Sequence, residues 1–179
     1  MSTLKVLQII DSLNVGGAEV LAVNIANLLA EKNIESHICT TRKEGALKER
    51  LDNKVGYVFL KRRKAFDIQA LLKLRGYINF NDIKIIHAHT TSFFITFLIK
   101  ILFFKKIKII WHNHTGAYIK LKGLKLFILK KTSKHFSTII NVNKELNDWS
   151  ILFLKAKKTI QLNNFVVFSN EIQKTKLLG

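Results

Sequence analysis

With 179 residues, a 48% hydrophobic fraction and one cysteine, the chain has the size and apolar content of a single domain and cannot close an internal disulfide. It carries 30 basic residues against 12 acidic ones, a formal net charge of +18, which argues against cationic partners and for anionic ones. The start, MSTLKVLQIID, has no cationic segment followed by a long apolar run and does not read as a signal peptide.

In chain order, the first element is an apolar strand over Leu4–Ile10. It runs through a polar loop into Gly16-Gly17 and then an amphipathic helix over Ala18–Glu31. Strand, glycine turn and helix N-terminus in that order offer free N–H groups and the positive end of a helix dipole to an anion. A bare Gly-Gly equally serves a tight turn. The dinucleotide fingerprint G-x-G-x-x-G is absent. Arg42 also ends the second strand, Glu35–Thr41, where an NAD site wants an acid. Arg42 leaves an NADP-dependent oxidoreductase as an alternative through its 2′-phosphate. Cys39 lies inside this apolar strand and reads as a buried, inert thiol. A short helix over Gly45–Leu51, a strand over Val55–Leu60 and a solvated basic loop, Lys61–Lys64, follow. Then come helix Phe66–Phe80, strand Ile83–Ala88, helix Ser92–Phe104, strand Ile107–Trp111, helix Tyr118–Lys134, strand Thr138–Val142, helix Lys144–Leu154 and strand Thr159–Leu162. Strands such as KIIHAH are continuous apolar runs, as in a parallel sheet covered on both faces. The alternation predicts an α/β fold: a Rossmann-like, doubly wound, mainly parallel sheet of about seven strands.

Ligands of such sheets sit at the carboxyl ends of the strands. Polar residues gather there: Asp11 and Ser12; His87, His89 and Thr90; His112, Asn113, His114 and Thr115; Asn141, Asn143 and Lys144; Asn163 and Asn164. In a strand, His87 and His89 share one face, as do His112 and His114. Four imidazoles could hold zinc or copper. No carboxylate or cysteine lies near them in sequence and the surrounding lysines would repel a cation, so no metal is assigned.

The charge is concentrated. From Ile83 to Lys144, 62 residues, there is no acid but there are twelve lysines and five of the six histidines. An AT-rich composition without proline raises lysine everywhere, yet an acid-free window of this length indicates a positive face. Helix Ser92–Phe104, SFFITFLIKILFF, is too short to span a bilayer and reads as a sheet-covering helix. The next segment mixes apolar residues with lysines but does not separate them onto one helical face. Reversible, salt-sensitive attachment to an anionic bilayer is expected through Lys120, Lys122, Lys125, Lys130 and Lys131. A basic nucleic-acid-binding module is the other alternative, but lysine dominates and no basic helix or RNP-like aromatic pattern appears, so no specific nucleic acid is expected.

The order of KVLQIIDSLNVGGAEVLAVNIANLLAEKN, DIKIIHAHTTSF, KIIWHNHTG, STIINVNKELNDW and KKTIQLNNFV resembles the N-terminal, acceptor-side domain of the retaining glycosyltransferases of family 4. These have the GT-B architecture, two Rossmann-like domains facing across a cleft. The resemblance implies a hexosyltransferase using a UDP- or GDP-sugar as donor substrate, with no cofactor and no metal. It implies a glycan or lipid-linked acceptor, in cell-surface polysaccharide synthesis at the inner face of the cytoplasmic membrane. Gly16 and Gly17 would approach the donor diphosphate or the acceptor, and His112 or His114 would sit near the transferred sugar. His87 and His89 would form the acceptor side, with Thr90, Asn113, Asn143 and Lys144 around them. Residues 1–165 would be this domain and 166–179 a linker with the start of the second domain, read as a helix over Asn170–Leu178. That second domain carries the nucleotide-sugar pocket, so the isolated chain is expected to be inactive and to need it, or a partner chain.

Overall fold

In the computed structural model, residues 4–163 are described. Seven strands form one sheet in the order β3-β2-β1-β4-β5-β6-β7, every neighbouring pair parallel. They are β1 (Lys5–Ile10), β2 (Glu35–Thr40), β3 (Gly56–Phe59), β4 (Ile85–His89), β5 (Lys108–Asn113), β6 (Thr138–Asn141) and β7 (Thr159–Gln161). The connecting helices are α1 (Gly17–Glu31), α2 (Ile68–Phe80), α3 (Phe93–Leu102), α4 (Gly123–Ser133) and α5 (Lys144–Phe153). The expected α/β class, strand number and parallel sense are all present. Expected element ends differ by one to three residues at most places, because caps rather than apolar runs set them. Asp67, for example, starts α2 by accepting from the Ala70 N–H at 3.1 Å.

β1 is buried on both faces, and its two faces meet different partners. Leu7 and Ile9 pack with α2 and α3 through Leu74, Ile78, Ile95 and Ile99. Ile10 packs with Ala22, Val23 and Ala26 of α1. Side chains alternate, so Gln8 shares the α1 face with Ile10. A third cluster joins Trp111 of β5 and Ile139 of β6 to Leu129 of α4, Phe136 and Trp149 of α5.

Two expectations are corrected. The segment expected as one helix over Tyr118–Lys134 is broken. A 3₁₀ turn at Gly116–Tyr118 is followed by extended backbone at Lys122 (φ −133°, ψ 166°), and α4 starts at Gly123 with φ +56°. Glycine tolerates that left-handed value and so sets the break. Lys120 and Lys122 therefore lie in the connection, not on the helix. The loop Lys61–Lys64 is not uniformly solvated. Arg62 is only 5% exposed, and its Nη2 donates to Asp11 Oδ1 at 2.9 Å. Asn164 and the residues expected as linker and next helix lie outside the described residues.

Candidate functional site

The strand order reverses at β1, whose neighbours are β2 and β4. The chain leaves β1 and β4 in opposite directions along the sheet, which opens a crevice at their carboxyl ends. Every residue of the candidate site follows from that geometry and from the register. Gln8 pairs with His87, and His89 pairs with His112 on the next strand. Four histidines from two strand ends are thereby brought into one cluster. Their ring centroids are separated by 4.4 Å (His87–His89), 5.3 Å (His87–His112), 5.6 Å (His89–His112), 5.3 Å (His89–His114) and 4.1 Å (His112–His114).

The cluster is tied to β1 at one point. His89 Nε2 lies 2.8 Å from Gln8 Oε1, so Nε2 carries the proton, and Nδ1 accepts from His114 Nε2 at 3.0 Å. Four other ring nitrogens are idle. His87 Nε2, both nitrogens of His112 and His114 Nδ1 are buried without a partner among the described residues. Burial holds all four rings neutral. It lowers the pKa of His87 to about 3, of His112 to about 2 and of His114 to about 4, and that of His89 well below the ordinary value. Mutual repulsion adds to burial for His87, His89 and His112, and no lysine of the described residues is among the main charges acting on these rings.

The glycine loop lies at the same edge, directly after β1. Gly16 caps α1 in extended backbone, and its carbonyl accepts from the Val20 N–H at 2.9 Å. The Glu19 carboxylate folds over Gly16, into the space a side chain there would take. A carboxylate in the first helical turn already uses part of the helix dipole, so an incoming anion has to displace or share it. A Cβ at Gly17 would meet nothing within 4 Å, so Gly17 is open to a ligand. Gly45 was not singled out from the sequence. A Cβ there would run into the backbone of Leu13 and Asn14, so Gly45 lets the following loop support the glycine turn from behind.

Asp11 ends β1 and knots this edge together. It accepts from Thr91 Oγ1 at 2.6 Å, from Arg62 Nη2 at 2.9 Å and from Thr41 Oγ1, with Arg42 Nε at 3.7 Å. Thr90 has φ +50°, a costly conformation for a β-branched residue, and its carbonyl accepts from Trp111 Nε1 at 2.8 Å. This strain sits between the two histidine-bearing strands.

The other expected site residues stand apart. Asn113 alternates with His112 and so turns to the opposite face. There its Nδ2 donates to Asn141 Oδ1 at 3.3 Å, and that same oxygen accepts from Ser150 of α5. Asn143 caps α5, accepting from the Leu146 N–H at 2.9 Å. Lys144 is exposed and pairs with Asp148 at 2.6 Å. Among the residues missed, Gln8 had left a signal, a lone amide in an apolar strand. Arg62 and Gly45 left none, because their partners are distant in sequence.

On the outer surface, α4 exposes Leu124 (72%) and Phe127 (55%), and α5 exposes Leu152 (78%). Lysines lie over this apolar ground: Lys130 Nζ is 5.1 Å from the Phe153 ring and Lys131 Nζ is 5.4 Å from the Phe127 ring. Lys120, Lys122 and Lys125 are exposed alongside. No helix among the described residues is long and apolar enough to cross a membrane. A separate cavity of about 420 Å³, lined by Ile78, Ile83, Phe104 and Ile107, opens at the amino-terminal edge, away from the histidines.

A parallel sheet with its polar residues collected at the switch point defines a Rossmann-like ligand-binding domain, of the kind that makes half of a GT-B fold. The profile of Glycosyltransferase Family 4 matches residues 15–165, and the chain belongs to that family. Solved structures of the same fold include HepE of Anabaena in complex with UDP and glucose, at TM-score 0.70 and 16% identity, covering 91% of this chain and 45% of that one. Sucrose-phosphate synthase from Thermosynechococcus elongatus gives TM-score 0.69 at 12% identity, covering 89% and 48%. An α-glucosyltransferase in complex with UDP and a 13-mer DNA gives 0.59 at 13%, covering 92% and 43%. The chain thus spans less than half the length of these structures. A comparison with curated proteins finds no match.

Proposed function

We propose that this chain is the acceptor-side half of a retaining sugar transferase that moves a hexose from a UDP- or GDP-sugar to a glycan or lipid-linked acceptor in cell-surface polysaccharide synthesis. The observation that carries the reading is the cluster of four neutral histidines beside an open glycine loop at the switch point, in a chain of family 4. A sugar hydroxyl both donates and accepts, and neutral His112 holds an unused N–H and an unused lone pair; both are buried, so half-buried His114 has to turn aside for a hydroxyl to reach them. A cationic imidazole would offer only donors. Gly17 leaves room for a diphosphate or acceptor to approach the backbone. Nucleotide recognition belongs to the second wall of the cleft, and transfer needs both walls to position the reactants.

The test pairs the chain with a second Rossmann-like domain supplying a nucleotide pocket. The chain alone binds UDP- or GDP-sugars weakly or not at all. The paired protein releases nucleoside diphosphate when given donor and a membrane lipid extract. His112→Ala lowers that rate about 100-fold, the usual loss when one transition-state hydrogen bond goes. No release with UDP-glucose, GDP-mannose or related donors rejects the reading, as does sub-micromolar donor binding by the chain alone.

The same reading places the protein in the cytoplasm, attached peripherally to the inner membrane face through Lys120, Lys122, Lys125, Lys130 and Lys131. What supports it is the apolar ground of Leu124, Phe127 and Leu152 among those lysines. Each lysine near an anionic leaflet contributes about 1 kcal/mol. Co-sedimentation with phosphatidylglycerol vesicles but not phosphatidylcholine vesicles, lost at high salt, is expected. Equal binding to both, or to neither at low salt, counts against attachment.

A further inference from the structure

We propose that His87, His89 and His112 form a binding site for one late first-row divalent cation of the zinc class, with His114 as the fourth ligand at the rim. The site goes beyond sugar transfer and does not depend on it.

Three observations carry it. One nitrogen from each of His87, His89 and His112 lies within 4.8 Å of the other two. A tetrahedral ion with Zn–N near 2.1 Å holds its imidazole ring centres roughly 5.2 Å apart. The centroids of His87–His112, His89–His112 and His89–His114 are already 5.3, 5.6 and 5.3 Å apart. The His87–His89 and His112–His114 centroids, at 4.4 and 4.1 Å, are closer than that. Closing the set to the roughly 3.4 Å between ligand nitrogens that such an ion needs therefore takes rotation of the rings and a parting of these two pairs by about 1 Å. Burial also leaves four ring nitrogens without partners among the described residues, at a cost in free energy; one ion, taking one nitrogen per ring, can satisfy up to three of them.

The surroundings suit the ion. Imidazole binds metals in its neutral form, and His87, His89 and His112 present their rings to one another from inside the fold. The lysines expected to repel a cation are not among the main charges acting on the cluster. An outer hydrogen bond is built in. Gln8 Oε1 accepts from the His89 Nε2–H and so leaves the Nδ1 lone pair for the ion, once His114 turns its N–H away. All-nitrogen ligation without carboxylates selects zinc, nickel or copper over magnesium and calcium.

Cobalt(II) is the probe, added to the whole purified chain at neutral pH. One equivalent should bind with the visible bands of four-coordinate cobalt, and zinc should displace it. Zinc at a hundredfold excess over Kd should raise Tm by roughly 5 °C or more. His87→Gln and His112→Gln should each weaken binding about 100-fold or more, whereas His135→Gln should bind as the parent does. Folding is followed by circular dichroism. Should the two ligand variants fail to fold, Gln8→Met, which leaves all four rings intact, should weaken binding 10- to 100-fold. No visible bands and no zinc-dependent Tm shift overturn the site. Unchanged affinity in folded ligand variants, or in Gln8→Met, also overturns it. None of these readouts uses transferase activity, so failure here and failure of the transferase reading are separate results.

Discussion

Removing the Asp11 carboxylate is the most informative single perturbation of the cleft edge. Asp11 serves Arg62, Thr41 and Thr91 at once, joining the ends of β1, β2 and the turn after β4. Arg62 is 5% exposed, and its Nε is already without a partner, so Asp11→Ala strands a buried guanidinium. Breaking a buried ion pair from one side costs about 3–5 kcal/mol. The Asp11 side chain is 22% exposed, which lets water take up part of the loss and favours the lower figure, about 3 kcal/mol. For a chain of this size that lowers Tm by roughly 6–12 °C. Arg62→Met removes the stranded charge, so Asp11→Ala in that background should cost far less than in the parent. Urea midpoints of the parent, both single variants and the double variant close the cycle. A coupling energy below about 0.5 kcal/mol, meaning simple additivity, refutes the idea that this pair holds the edge together.

Acid provides another test, on protein kept metal-free with chelator. His87, His89, His112 and His114 all have folded pKa values below the ordinary 6.5, so the unfolded chain binds more protons than the folded one beneath that pH. Their stability contribution is complete above pH 6.5 and falls away as pH drops toward 4; for His87, His112 and His114, with folded values of about 3, 2 and 4, the loss is about 2 kcal/mol each at pH 5. A urea midpoint that stays level from pH 7.5 to 5 contradicts this. Gly45→Ala should destabilise by about 1–3 kcal/mol by pushing on the Leu13–Asn14 backbone, whereas Gly17→Ala, facing open space, should be neutral or slightly stabilising. Equal melting temperatures for the two would refute that contrast. Asn143→Ala should cost about 1 kcal/mol through the lost α5 cap, and Asn143→Asp should restore most of it; a matching loss in both would mean the residue does more than cap.

The class of fold was legible because its cause is local. Continuous apolar runs such as LKVLQII and KIIHAH alternate with helical stretches, and that alternation alone dictates a parallel sheet covered on both faces. The candidate edge was legible for the same reason: strands in parallel bring their carboxyl ends to one side, so the glycine turn and the His-x-His pairs had to share it. Which histidines touch was not legible. That depends on β4 lying next to β5 with His89 opposite His112, a register chosen by packing across the whole sheet. Nor could the sequence separate Asn113 from its histidine neighbours in role, since strand alternation turns it to the other face, onto Asn141. The break before α4 turned on one glycine at positive φ inside an apparently helical run. Arg62 looked like surface among its basic neighbours. Only the chain folding back on Asp11, 51 residues earlier, makes it a buried partner, because the energy of a buried charge is set by what surrounds it in space.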